Sequence, residues 1–346
     1  MNQVKIGLFL GGSSSEKEIS LETGRHVYNS LDREKYEVTP IFVDHHNHLW
    51  IIEEGLMWMN TCQDVENQLQ TSGERIYYED LKEKIDYAFS ALHGKYGEEC
   101  LPAVFELFDI PNNTSGILGG SLGMDKGFQK KLLEANGLTV GKYLLVQSSK
   151  RKDQSYRSEL ENEIRETVGF PCIVKPTREG CSVAIAKVNQ PAELEKALSA
   201  AFEYDNVVMV EQYLQGMEVT TTVIEEQGTP RSLTPTETPY KGEFLSVEEK
   251  FLPGDATMIT PPRLTESEIK IIQQEALKAY QALRQQNCSR IDAIWKATEK
   301  ELYILEPNSP PGMTPSTMVF HQAAEEGWNA REFFSKVIAN KLDHAD

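Results

Sequence analysis

Residues 4–20, VKIGLFLGGSSSEKEIS, decide the fold class. Val4–Leu10 is a continuous apolar run of strand length, and Gly11-Gly12 with the three serines behind it stops the run. From Glu16 to Leu31, Ile19, Thr23, Val27 and Leu31 recur at helical spacing, so a strand, a turn and a helix follow one another. The alternation continues with strands at Tyr36–Val43 and Ile85–Leu92 and a helix at Leu101–Leu107. This order predicts an α/β unit over 1–121, built on a mostly parallel sheet with its ligand edge at the strand C-termini. Asp44–Gly73 is polar with weak periodicity and yields no element.

Downstream the pattern changes. Lys126–Asn136 reads as a helix ended by Gly137, followed by strands at Tyr143–Val146, Pro171–Lys175, Val183–Val188 and Val207–Tyr213 and helices near 155–168 and 192–202. Residues 122–215 thus form a compact α+β unit shaped to close over something. A third unit, 216–346, has a strand at Glu218–Glu225, a long polar loop at 235–261 and a helix at Glu266–Arg284. Strands near Ser289–Lys296 and Leu302–Leu305, a proline- and glycine-dense turn at 307–315 and two last helices complete it.

A chain of 346 residues is too long for one compact core, in agreement with three units. Its 35 basic and 53 acidic residues leave a net charge of −18, which repels polyanions and argues against nucleic acid as a partner. A phosphorylated ligand would need a few concentrated cations and free backbone N–H groups. Five dispersed cysteines without a CxxC pair exclude a disulfide framework or zinc ribbon and fit a reducing compartment. No run approaches the length of a membrane span and the N-terminus lacks a signal segment, so a cytoplasmic protein is expected.

Two constellations carry chemistry. Arg290-x-Asp292 on one strand and Glu306-x-Asn308 on the next place side chains two apart, so each pair faces one side of a sheet. Two carboxylates and an amide on one face suit a hard divalent cation, although a solvated hairpin reads the same way. Lys175 ends an apolar strand, and Pro176–Ser182 behind it offers N–H donors that would lie over phosphates; a plain structural hairpin is the alternative. The run His45-His46-Asn47-His48 is better read as a solvated turn than as a metal cluster, because adjacent ligands seldom reach one ion.

In one order along the chain stand GGSSSEKEIS (11–20), LHGKYGEE (92–99), MDKGFQKKLLEANGL (124–138), IVKPTREGCSV (173–183), VEQYLQGMEVT (210–220), RID (290–292) and LEPNSPPGMTPST (305–317). Together they resemble the D-alanine–D-alanine ligases of the ATP-grasp superfamily over almost the whole chain. The resemblance implies an ATP-grasp fold: an N-terminal Rossmann-like α/β domain for substrate, a central α+β lid and a C-terminal α+β catalytic domain. It implies ATP and Mg²⁺ (or Mn²⁺) as cofactors and D-alanine as substrate, joined to a second D-alanine or another D-amino or D-hydroxy acid for peptidoglycan. A homodimer is also expected.

Residue by residue, the resemblance gives Lys126, Lys175 and Lys250 to the nucleotide and its phosphates, and Glu211, Leu214 and Glu218 to adenine and ribose. Asp292, Glu306 and Asn308 match the metal ligands. Glu16 orders the first D-alanine through its ammonium, with His93 beside it, while Arg290 and the Gly312 N–H stabilise the tetrahedral intermediate. Thr317 and Met318 match the pocket for the second substrate's carboxylate, where the family usually has Ser-Leu. Cys181 and Phe251 depart from the family's acid-serine-tyrosine network: a thiol is a weak donor and phenylalanine has none. Substitution by drift explains Cys181 better than a redox role, and phenylalanine after Lys250 resembles ligases that accept D-lactate. A rival reading is a non-catalytic nucleotide-binding paralogue, against which stands the retention of every cationic and metal position.

Overall fold

The computed structural model describes residues 3–150, 154–180, 183–239 and 258–342. Its strands form three sheets. The first contains β1 (Val4–Gly11), β2 (Tyr36–Val43), β3 (Leu49–Ile52), β4 (Gly73–Ile76) and β5 (Tyr87–Ser90) in the order β4-β3-β2-β1-β5. β1 pairs in parallel with both β2 and β5, as its unbroken apolar run requires: Ile6, Leu8, Phe9 and Leu10 are all buried, on both faces of the sheet. The helix Lys17–Ser30 packs over it.

Two regions here escape the sequence pattern. The polar segment after Asp44 leads into β3, which adds antiparallel to β2, and then β4, which adds antiparallel to β3. β3 is only four residues, too short to show a period, yet it buries Leu49, Trp50 and Ile52. The second is the helix Gly116–Met124, GILGGSLGM, whose four glycines argue against a helix. Packing explains them: a Cβ on Gly120 would stand 1.9 Å from the Glu98 carbonyl oxygen and one on Gly119 2.5 Å from that of Arg284.

The second sheet comprises β6 (Tyr143–Gln147), β7 (Cys172–Pro176), β8 (Ala186–Val188) and β9 (Val207–Gln212), fully antiparallel in the order β6-β9-β7-β8. Helices Gln154–Thr167 and Pro191–Ala201 cover it around a core of its own that includes Val146, Ile164, Val174, Leu198 and Val210. β8 begins at Ala186, not at Val183, because Val183 N–H closes a turn on the Gly180 carbonyl and Ala184 takes a φ of 52°.

In the third sheet β10 (Met217–Glu226), β11 (Thr229–Ser232), β13 (Cys288–Lys296) and β14 (Glu301–Asn308) lie in the order β11-β10-β13-β14, with β12 (Thr236–Glu237) also paired to β10. The helix Glu266–Ala282 lies against this sheet, started by a capping box in which Thr265 and Glu268 satisfy each other's backbone N–H. The last helix, Ala330–Leu342, returns to the first sheet. Its Phe333, Phe334, Val337 and Ile338 share one core with Ile6, Leu8, Tyr87 and Phe89. Among the described residues no helix is long and apolar enough to cross a membrane.

Candidate active site

β13 and β14 pair so that Arg290 stands opposite Asn308 and Asp292 opposite Glu306. Directly beyond the second pair the register shifts: Ala293 faces Ile304, leaving Leu305 as the extra residue of a bulge. The four polar side chains therefore share the rim of one cleft, which runs between the second and third sheets. Asp292 is the hub. Its Oδ1 accepts from Arg290 Nε at 2.9 Å and Thr220 Oγ1 at 2.9 Å, and its Oδ2 from Arg290 Nη2 at 2.8 Å and Asn308 Nδ2 at 3.2 Å.

The cations come from two other elements. Asp125 caps the helix Lys126–Ala135, and the Lys126 N–H donates to the Thr177 carbonyl, pinning the helix start to the loop after β7. The Lys126 ammonium lies 3.4 Å from Glu306 and donates to the Glu179 carbonyl at 2.7 Å. Lys175, near the end of β7, places its ammonium 2.5 Å from Glu211 Oε1. A second buried lysine, Lys130, stands 3.2 Å from Glu211 Oε2. Burial opposes charge on Glu211, but the two lysines outweigh it and hold the carboxyl down at about 2. Leu214 and Glu218 line the same wall.

The loop after β7 is held from both sides. Asp205 Oδ2 accepts from Thr177 N, Thr177 Oγ1 and Arg178 N, while Arg178 Nη2 reaches both oxygens of Glu99 at 2.5 and 2.7 Å. Next to them Gly180 passes Glu16 so closely that a Cβ there would stand 2.3 Å from Glu16 Oε2. A side chain there would push the Glu16 carboxylate aside. Glu16 itself is the N-cap of the helix Lys17–Ser30, carried there by the turn after β1.

His93 closes this end of the cleft. Its Nε2 is buried without a hydrogen-bond partner, and burial lowers its pKa, so the ring is neutral near pH 7.

Of the residues marked from sequence, Glu16, His93, Lys126, Lys175, Glu211, Leu214, Glu218, Arg290, Asp292, Glu306, Asn308 and Gly312 all line this one cleft. Thr317 and Met318 do not. They are buried at the start of the helix Met318–Glu325, Thr317 Oγ1 bonded to the Thr314 carbonyl and Met318 Sδ to Thr238 Oγ1. Cys181, Lys250 and Phe251 lie outside the described residues. The histidine turn is organised by Asp44, which accepts from the His46 and His48 N–H groups, from His48 Nδ1 and from Trp50 Nε1.

Sequence reasoning passed over two carboxylates and one lysine. Glu98 lines the cleft with its carboxyl pushed up to about 8 by burial and then by the charge of Glu16, so it is mostly protonated at pH 7. Glu179 lines it too. Lys130 shares the buried face of its helix with Gly127 and Leu133, but it stands between Gln129 and Lys131 in the sequence, so no apolar run marked it; a lysine buried that deeply needs a partner.

Two family models cover most of the chain, the D-ala D-ala ligase N-terminus over residues 5–115 and the D-ala D-ala ligase C-terminus over 132–339. A D-alanine–D-alanine ligase of Bacillus cytotoxicus is 34% identical over 92% of this chain and 90% of its own length. One of Carboxydothermus hydrogenoformans is 32% identical over 98% and 99%. Among solved structures, the VanG D-Ala:D-Ser ligase of Enterococcus faecalis superposes with a TM-score of 0.85 at 25% identity, covering 98% of this chain and 100% of that one. The ATP complex of the Bacillus anthracis D-alanine–D-alanine ligase gives 0.74 at 26% identity, covering 100% and 99%. With these relatives matching nearly the whole chain, and a cleft that gathers lysines, paired carboxylates and an arginine between two sheets, the chain is an ATP-grasp ligase and a member of the D-alanine–D-alanine ligase family.

Proposed function

We propose that the protein joins two D-alanines at the expense of ATP, through an acyl phosphate, releasing ADP and phosphate, and that it does so in the cytoplasm for peptidoglycan synthesis. The observation that carries this reading is the convergence of Lys126, Lys175, Asp292, Glu306, Asn308 and Arg290 on one cleft. A carboxylate is a poor electrophile, and phosphorylation converts it into one that an amine attacks. Lys126 and Lys175, with Lys250, take the charge of the phosphates, while Glu211, Leu214 and Glu218 take the adenine and ribose. Asp292, Glu306 and Asn308 offer only oxygen donors to a cation once the Asn308 amide turns its oxygen inward, a set that fits Mg²⁺ or Mn²⁺. Such an ion would supply neutralisation of phosphate charge.

Glu16 receives the ammonium of the first D-alanine, and neutral His93 stands beside it without adding charge. Arg290, fixed by its two bonds to Asp292, and the Gly312 N–H meet the oxyanion that forms when the second amine attacks. The loop after β7 keeps water from the acyl phosphate. The test is ADP release measured with D-alanine, D-serine, D-lactate and L-amino acids, with product masses. D-Alanyl-D-alanine as main product supports the reading; no ADP release with any D-amino acid favours the non-catalytic paralogue.

A second reading, a D-alanine–D-X ligase with D-lactate as the other substrate, rests on Phe251 where the family commonly has tyrosine. We also propose a homodimer, since Leu107, Ile117 and Leu118 are exposed on neighbouring helices joined by the Ile117 N–H to Glu106 bond. Light scattering on the purified protein tests it.

A further inference from the structure

Lys130 has no place in the chemistry above, yet it is among the most deeply buried charged groups of the molecule, 1% exposed. It does not line the cleft. From the helix Lys126–Ala135 its ammonium reaches two other elements, Glu211 Oε2 on β9 at 3.2 Å and the Ile304 carbonyl on β14 at 3.2 Å. Ile304 is the last residue before the bulge at Leu305, and its own N–H is taken by the Thr139 carbonyl. One cation therefore spans the second and third sheets, behind the wall that faces the cleft.

Glu211 is shared unevenly. Lys175 approaches its Oε1 at 2.5 Å, but Lys175 also faces the cleft, where the proposed phosphates would draw it away. A buried carboxylate left without a cation is strongly destabilised. Lys130, already bonded to the other oxygen and closed off from ligand, keeps the carboxylate compensated when Lys175 turns.

We propose that Lys130 is a positioning residue for nucleotide binding: acting through Glu211, it holds that carboxylate ionised and aimed at the base while Lys175 serves the phosphates. The inference rests on the nucleotide reading of the cleft. It locates the effect of Lys130 at the base end of the ligand, which a general loss of structure would not do.

The test compares wild type with Lys130→Met by calorimetry, using adenosine, ADP and magnesium tripolyphosphate as separate probes. The expected result is a rise of tenfold or more in the Kd of adenosine and ADP, with the tripolyphosphate Kd within twofold and the KM for D-alanine unchanged. Equal losses for adenosine and tripolyphosphate, or none for adenosine, overturn the proposal. Where Lys130→Met alone does not fold, Glu211→Gln and the double variant Lys130→Met/Glu211→Gln carry the test. If Lys130 acts through Glu211, the two bind adenosine equally; a further loss in the double variant overturns it. A wild type that binds neither adenosine nor ADP removes the nucleotide reading and this inference with it. A wild type that binds both, with Lys130→Met unchanged, removes the role of Lys130 alone.

Discussion

Asp292 and Glu306 face each other directly across β13 and β14, and the bulge at Leu305 follows the pair at once. In a regular ladder two such carboxylates repel. Here Asp292 is held by Arg290, Asn308 and Thr220, and Glu306 lies beside Lys126, so both remain available as oxygen donors. Asp292→Asn or Glu306→Gln should lower kcat by about two orders of magnitude or more, because each removes one negative oxygen from the proposed metal shell; Tm should change little in Glu306→Gln and fall in Asp292→Asn, which also breaks the buried pair with Arg290. Near-normal turnover in saturating Mg²⁺ would remove both from that role.

Glu211 makes stability depend on acid. Its carboxyl titrates at about 2 in the folded protein, against an ordinary 4.5, so the folded state binds its proton less readily than the unfolded chain. The contribution is fully present above about 4.5 and is lost as pH falls toward 2. Glu211→Gln should cost roughly 3–5 kcal/mol near pH 7, as breaking a buried pair does. Its deficit in Tm relative to wild type should shrink between pH 4.5 and pH 2. A deficit constant with pH would mean that the carboxylate charge is not what stabilises this wall.

The Arg178–Glu99 pair joins the loop after β7 to the segment that carries Glu98. The arginine side chain is 38% exposed, so the pair is worth roughly 1 kcal/mol or less. Glu99→Gln should lower kcat no more than about fivefold. The sharper readout is coupling: a loosened loop admits water, and ADP release should exceed dipeptide formed. Strict one-to-one stoichiometry in Glu99→Gln and Arg178→Gln alike would show that the pair does not seal the cleft.

Phe251→Tyr restores the hydroxyl usual in the family and should favour an amine over a hydroxy acid as nucleophile. One neutral hydrogen bond supports a shift of roughly two- to tenfold in the kcat/KM ratio of D-alanine to D-lactate. The ratio is best followed across pH, since only the unprotonated amine attacks. No ester product from wild type at low pH, with an unchanged ratio in the variant, would assign the second substrate's choice elsewhere.

The parallel core of the first sheet was readable because β1 is mostly apolar and β2 ends in the apolar run Ile41-Phe42-Val43. That Arg290 shares a face with Asp292, and Glu306 with Asn308, was readable because a strand repeats every two residues. A period says nothing about how two strands align, so neither the opposition of Asp292 to Glu306 nor the extra Leu305 was visible. β3 was hidden by its brevity, and the helix Gly116–Met124 by glycines chosen for contact with the Glu98 and Arg284 carbonyls. Lys130 was missed for a different reason. Motif matching finds groups that face ligand, and this one works from behind the wall.

The burial of Phe333 and Phe334 beneath the first sheet has a mechanical consequence. That core also takes in Ile224 and Leu233 from β10 and its surroundings, Cys288 of β13, and Val319, so the two ends of the chain are welded into one block. The second sheet and its two helices keep a separate core. The second sheet is thus a separate piece set against that block. Chain enters it after Val140, which still packs with the core of the third sheet, and leaves it between Val210, in its own core, and Met217, which packs with the third sheet again. If that piece turns about these two crossings, the mouth opens with its core intact, and the contacts that must part are the Arg178–Glu99 and Lys130–Glu211 pairs.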